Sequence, residues 1–165
     1  MYLESNVPEP EPPLWSFPHS LCALSSDDAD EIMLAAAPPT PETRALVISR
    51  HTLQPILQLM KCGCTSVATQ SLDAPGTHLD PVSLVWIADL KTREEMTSSI
   101  HRASICLNAA GCMVLDATGL AAEPTSDLAA LNCLIAQGYR LRTVLRKGGH
   151  LILVATHRPQ ATLAA

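Results

Sequence analysis

Ala45-Leu46-Val47-Ile48-Ser49-Arg50-His51-Thr52 is the stretch on which the reading of this chain turns. A short, continuous apolar run such as Ala45 to Ser49 is the pattern of a strand buried on both faces, as in a parallel sheet covered by helices. The residues that follow it contain no glycine. A turn leading from such a strand into a helix is the ordinary place for a nucleotide-like ligand, and glycine there lets the backbone approach that ligand closely. The stretch therefore points to a fold and withholds the usual cofactor signature.

Working outward, Thr52 predicts a helix cap, with Pro55 in the first turn, Leu53, Ile56, Leu57 and Met60 as the buried face, and Gly63 as the stop. Thr65 to Gln70 predicts a second strand. After a loop holding Asp73, Pro75, Gly76 and Asp80-Pro81, Val82 to Ala88 predicts a third. Thr92-Arg93-Glu94-Glu95 reads as a capping box, and Met96, Ile100, Ala103, Leu107 and Ala110 recur at helical spacing up to Gly111. Cys112 to Ala117 then predicts a fourth strand, and Ser126 to Gln137 a helix closed by Gly138. Tyr139 to Arg146 and His150 to His157 alternate around Lys147-Gly148-Gly149, which is a hairpin signal. The expected fold class is α/β: a three-layer, Rossmann-like sheet of about six strands, mostly parallel with a C-terminal antiparallel hairpin and helices on both faces.

The first 41 residues read differently, holding eight of the 13 prolines and three of the five aromatic residues. We divide the chain into a proline-rich arm, 1–41, with one short helix, and a single α/β domain, 42–165. In the arm, Pro8 to Pro13 favours an extended course, while Leu14, Trp15 and Phe17 are costly to leave in water and are expected to dock on the domain or on a second subunit. Ser25-Ser26-Asp27-Asp28 supplies a cap and acidic residues for a helix over Ala29 to Ala37, stopped by Pro38-Pro39.

At 165 residues with 47% hydrophobic and 16% charged residues, the chain suffices for one core and not for two ordinary domains. A net charge of −5 gives no basis for nucleic-acid binding. Apolar stretches fall short of a membrane span, and Met1-Tyr2-Leu3-Glu4-Ser5 lacks the basic, apolar character of a signal peptide, so the expected location is cytoplasmic. The cysteines, Cys22, Cys62, Cys64, Cys106, Cys112 and Cys133, read as reduced, buried small hydrophobes, and the scattered histidines give no metal-ligand spacing.

Val82-Ser83-Leu84-Val85-Trp86-Ile87-Ala88-Asp89-Leu90 resembles the fourth strand and following loop of the class I S-adenosylmethionine-dependent methyltransferases. Ile100 to Ala117 resembles that family's helix, Gly-containing turn and fifth strand, and Gln137 to Leu141 with Gly149 to Ala155 its terminal hairpin. The resemblance covers roughly residues 44–159 and implies a sheet of that type. Two departures stand out. Ser49-Arg50-His51-Thr52 replaces the glycine-rich cofactor turn, and Thr69-Gln70 stands where the family carries an acidic residue for the ribose. Between Gln70 and Ser83 the family's helix, strand and helix are missing, so one edge strand is deleted. The remaining loop still has the length to cross back over a sheet roughly 20 Å deep, at roughly 3.3 Å per residue.

If the first and third strands are neighbours, a crevice opens at their carboxyl ends. Ser49, Arg50 and His51 would line one lip, and Ala88, Asp89 and Lys91 the other. His51 and Asp89 are the catalytic candidates, as proton-transfer groups, and Ser49, Arg50, Asp89 and Asp116 the cofactor-binding ones. Against this stands a structural account in which Arg50 and Asp89 pair across an abandoned site, Asp116 starts a loop, and Arg140, Arg142, Arg146 and Lys147 guard an edge strand against unwanted pairing. The expectation is a degenerate methyltransferase-like domain, not catalytic, with no cofactor and no metal, acting through a protein partner or as a homodimer. The alternatives are an active S-adenosylmethionine-dependent methyltransferase with an atypical turn, acting on a small molecule, and a receiver-like regulatory domain.

Overall fold

A computed structural model of the chain describes residues 28–75, 79–120 and 126–157, side chains of 126–128 excepted. The expectations placed on Leu14, Trp15, Phe17, Cys22 and Ser25-Ser26 lie outside the described residues. Four helices, α1 (Ala29–Ala36), α2 (Leu53–Lys61), α3 (Arg93–Cys106) and α4 (Ser126–Ala136), alternate with six strands. The strands are β1 (Arg44–Ile48), β2 (Ser66–Gln70), β3 (Val82–Ile87), β4 (Leu107–Asp116), β5 (Tyr139–Lys147) and β6 (His150–His157), and a 3-10 turn spans Thr118–Leu120.

All six strands join one sheet in the order β2-β1-β3-β4-β6-β5. The first four run parallel, and β6 is antiparallel to both β4 and β5. The antiparallel pair β5 and β6 is the C-terminal hairpin expected from the sequence. As period-two strands require, alternate residues face opposite layers. Leu46, Ile48, Val85, Ile87, Met113 and Leu115 meet Met96, Ile100 and Ala103 of α3 and Ala130 and Leu134 of α4. Ala45, Val47, Trp86, Val114, Ile152 and Val154 meet Ile32, Met33 and Ala36 of α1 and Leu59 of α2. Helix α1, from the proline-rich segment, thus fills part of the core.

Among the described residues the sheet stops at β2, and the connection that leads along the chain from β2 to β3 carries no strand. What holds the shortened connection is a side chain of α3. The buried Arg102 guanidinium donates from Nη1 to the carbonyls of Ser71 (2.9 Å) and Ala74 (3.0 Å), and from Nη2 to that of Leu72 (3.0 Å). One planar fork satisfies three loop carbonyls that a flanking strand would otherwise engage.

Four expectations are corrected. Helix α3 ends at Cys106, not at Gly111: Leu107 is already extended (φ −72°, ψ 124°) and pairs with Val82, and residues 108–111 bulge out before Cys112 meets Leu84. The helical spacing of Leu107 and Ala110 lost to strand pairing. Thr52 makes no side-chain cap bond, because its own backbone is already helical (φ −82°, ψ −20°). On α2, Pro55 and Leu59 are buried, but Leu53 (70%), Leu57 (43%) and Met60 (57%) are exposed. The stripe is apolar but uncovered, because the helix buries its opposite side, Pro55 and Leu59, and Leu59 packs into the core. Finally, Cys64, Cys106 and Cys112 are buried, whereas Cys62 is exposed at the helix end and Cys133 half-buried. The hairpin turn has left-handed Gly148 (φ 55°) and Gly149 (φ 81°), as a two-residue type I′ connection requires.

On β5, Arg140, Arg142 and Arg146 occupy the exposed parity of the edge strand; Lys147, expected with them, has the opposite parity and is half-buried. Among the described residues no helix is long and apolar enough to cross a membrane.

Candidate functional site at the carboxyl ends of β1 and β3

Parallel pairing sets Ile48 against Ile87, so the chain leaves both strands side by side. The first residues beyond them are Ser49, buried, and Ala88, whose amide donates to the Ile48 carbonyl at 3.0 Å. On the other flank, the Ser49 amide donates to the carbonyl of Gln70, the buried last residue of β2, at 3.2 Å. The two strand exits are held by backbone bonds before any side chain acts.

The crevice brings together most of the residues singled out from sequence. Ser49 donates its hydroxyl to Asp89 Oδ2 at 2.5 Å. The same carboxylate oxygen accepts from the His51 amide at 3.0 Å and lies 3.2 Å from His51 Nδ1. Burial pushes the Asp89 carboxyl upward, but the hydrogen bonds from Ser49 and His51 outweigh it and hold the group below its ordinary value. To make these contacts Asp89 adopts a left-handed backbone (φ 61°), and it is the only non-glycine described residue with a positive φ. The His51 ring itself faces solvent, with 85% of its side chain exposed.

Arg50 does not pair with the Asp89 carboxylate as expected. Its Nη1 donates to the Asp89 main-chain carbonyl at 2.8 Å, and its Nη2 pairs with the Glu95 carboxylate. The carboxylate of Asp89 is already occupied, and its left-handed backbone turns the carbonyl toward the guanidinium. Glu95 is the residue that sequence reasoning missed as part of the site, having been read only as one half of the capping box. That box is present: the Glu95 amide donates to Thr92 Oγ1 (3.2 Å), and Glu95 Oε2 accepts from the amides of Thr92 (3.3 Å) and Lys91 (2.8 Å). Bonding to Lys91, against a smaller opposing effect of burial and with Arg50 adding, holds Glu95 below its ordinary value. Lys91 thus takes part through its backbone.

Asp116 sits nearby but is engaged elsewhere. Its Oδ1 accepts from the Thr118 amide at 2.9 Å and from the Thr118 hydroxyl, which in turn accepts from the Leu151 amide at 3.0 Å. This is a loop-starting turn. A further acid lies in the first turn of α1, which packs against β4 and β6: burial, followed by the charges of Asp28, Asp116 and Asp89, pushes the Asp30 carboxyl from 3.8 up to about 6. Nothing in the sequence placed Asp30 here, because local pattern does not say which sheet face a leading helix covers. Among the described residues no three His, Cys, Asp or Glu side chains are grouped as a metal would need.

Comparison with known proteins gives the fold. No protein-family model and no curated protein matches the sequence. Among solved structures, a ribosomal protein L11 methylase from Lactobacillus delbrueckii subsp. bulgaricus is similar at 13% identity and TM-score 0.61, over 78% of this chain and 76% of that one. TrmN from Thermus thermophilus is similar at 15% identity and TM-score 0.61, over 87% of this chain but only 52% of its own, so this chain spans about half the length of that protein. A TehB-like SAM-dependent methyltransferase from Corynebacterium glutamicum ATCC 13032 Kitasato is similar at 12% identity and TM-score 0.52, over 78% of this chain and 87% of that one. With its order β2-β1-β3-β4-β6-β5 and its terminal hairpin, the chain has the Rossmann-like fold of the class I S-adenosylmethionine-dependent methyltransferases, ending at β2 on one side.

Proposed function

We propose that this is a degenerate methyltransferase-like domain that does not catalyse and that acts through protein contacts, as a homodimer or as the companion of an active enzyme. The observation that carries the reading is that the groups of the first strand-to-helix turn are spent on one another. Ser49 and His51 close on the Asp89 carboxylate, and Arg50 bridges the Asp89 carbonyl to Glu95. A ligand cradle needs backbone amides and carboxylates facing an open space, with little side-chain bulk between. Here the residues do not fit an adenosyl ligand: an arginine crosses the corner, and Gln70 offers an amide where a ribose-binding carboxylate would stand. Isothermal titration with S-adenosylmethionine tests the reading. No heat of binding is expected, and a micromolar dissociation constant overturns it.

One observation favours a second reading, an active methyltransferase for a small molecule. Asp89 is held in a left-handed conformation with its carboxylate kept ionised, and backbone strain of this kind is concentrated at functional sites. On this reading Asp89 or His51 would accept a proton from a substrate, with Ser49, Arg50 and Asp116 near the cofactor. It requires the same titration to show binding, and Asp89→Asn to abolish turnover while leaving that binding in place.

A further inference from the structure

The sheet has two edges of opposite character. Along β5, Arg140, Arg142 and Arg146 occupy the exposed parity, and charges so placed oppose pairing with another strand. Along β2, Ser66-Val67-Ala68-Thr69-Gln70 carries neither a charge nor a proline, and among the described residues no strand lies beyond it. The Gln70 carbonyl accepts from the Ser49 amide, so by strand alternation Ala68 also faces β1, and the backbone groups of Val67 and Thr69 point outward. Beside this edge lies α2, with Leu59 and Val67 in one core cluster and with Leu53, Leu57 and Met60 left exposed among the described residues. We infer that β2 is the seam of a homodimer, in which β2 of a second copy adds antiparallel across a two-fold axis and the exposed stripes of the two α2 helices cover each other. The inference rests on the reading that the chain acts through protein contacts, and it names the second copy as the contact.

Self-complementarity selects this occupant. With the axis through Ala68, Val67 exchanges both of its outward backbone bonds with Thr69 of the second copy, and Thr69 does the same with Val67 of that copy. The small Ala68 side chains then meet at the centre, where antiparallel strands approach most closely. Val67 and Thr69 share one side of the strand and are both β-branched, which makes them a favourable cross-strand pair. An axis perpendicular to the sheet keeps the same face of both copies upward, so the two α2 helices lie on one side of the joined sheet and run antiparallel. Charge agrees. From Thr52 to Leu72 the only charged residue is Lys61, in a chain of net charge −5, so two copies meet here with little like-charge repulsion.

The test uses the full chain. Light scattering over a range of concentrations is expected to report twice the mass of one chain, and hydrogen exchange of peptides covering β2 to show protection that rises with the dimer. Thr69→Lys puts a charge on the edge and Leu57→Glu one on the stripe, both at exposed positions. Each should abolish the dimer while far-ultraviolet circular dichroism stays unchanged. In a Cys62→Ser background, Ala68→Cys should cross-link the two copies on oxidation, because a central pair of this kind brings its Cα atoms to about 4.5 Å. A monomer at every concentration overturns the inference. So does a dimer indifferent to both charges, which would leave the reading of protein contacts standing and place the interface elsewhere. Protection of β2 that is equally strong in a monomer also overturns it, since the chain would then cover its own edge. S-adenosylmethionine bound by a dimer that Thr69→Lys dissociates would end the non-catalytic reading and uphold the seam.

Discussion

Arg50 reaches across the crevice to Glu95, tying the turn after β1 to the first turn of α3. The bridge is partly shielded and is anchored at both ends by further bonds, from Arg50 to the Asp89 carbonyl and from the backbone of Lys91 and Thr92 to Glu95. In a double-mutant cycle of Arg50→Ala and Glu95→Gln, the two losses of stability should be non-additive, with a coupling that shrinks as salt is raised. Chemical denaturation of the four proteins measures it. Strict additivity would mean that the pair contributes nothing.

Arg102 should matter more than any surface charge. Replacing it by methionine keeps the apolar stem and removes the guanidinium donors to Ser71, Leu72 and Ala74, leaving Ser71 only the amide of Ala74. Leaving such acceptors without partners should cost about 2 to 3 kcal/mol in urea unfolding. Arg102→Lys should recover only part of this, because a single ammonium cannot address three carbonyls in a plane.

A methyl group at Gly119 has nowhere to go. A Cβ built there would lie 2.0 Å from the Leu90 carbonyl oxygen, which belongs to backbone and cannot rotate away. Gly119→Ala should therefore destabilise the fold by about 2 to 3 kcal/mol, through displacement of the turn after β4 from the loop after β3. Thermal unfolding would show it, and an unchanged midpoint would contradict this packing.

Asp30 predicts a pH dependence with a definite sign. Its carboxyl is raised from 3.8 to about 6 by burial and by neighbouring acids, so the folded chain favours the protonated form. The associated stability is complete below the unfolded value and is lost as pH rises through the folded one. Asp30→Asn should match the parent near pH 4, gain on it between pH 4 and 6, and stay ahead above that by about 1 to 2 kcal/mol, a figure reduced for solvent screening. Urea titrations at a series of pH values decide it.

Much of this architecture could be read from local pattern because its signals are local. The Thr92 to Glu95 box, the glycines of the hairpin turn and the unbroken apolar runs of β1 and β3 each settle their own segment. What stayed hidden depends on partners far along the chain. Leu107 and Ala110 have helical spacing, and only pairing with Val82 makes Leu107 extended. The α2 stripe is apolar by inspection, yet whether the sheet reaches it depends on helix rotation. At the crevice, Ser49, Arg50, His51 and Asp89 were found through strand adjacency. The rewiring of Arg50 toward Glu95 was not, because it follows from the one backbone angle at Asp89 that places the carbonyl where a carboxylate was expected.

The backbone bonds that align Ile48 with Ile87 also make the crevice a gauge of strand length. Adding or removing a single residue in β1 or β3 would slide Ser49 past Asp89 and turn every inward side chain outward, so those two segments do not admit insertion. The connection after β2 is fixed differently, by the Arg102 fork on the carbonyls of Ser71, Leu72 and Ala74, so its count is set over those residues by one side chain and not by strand pairing.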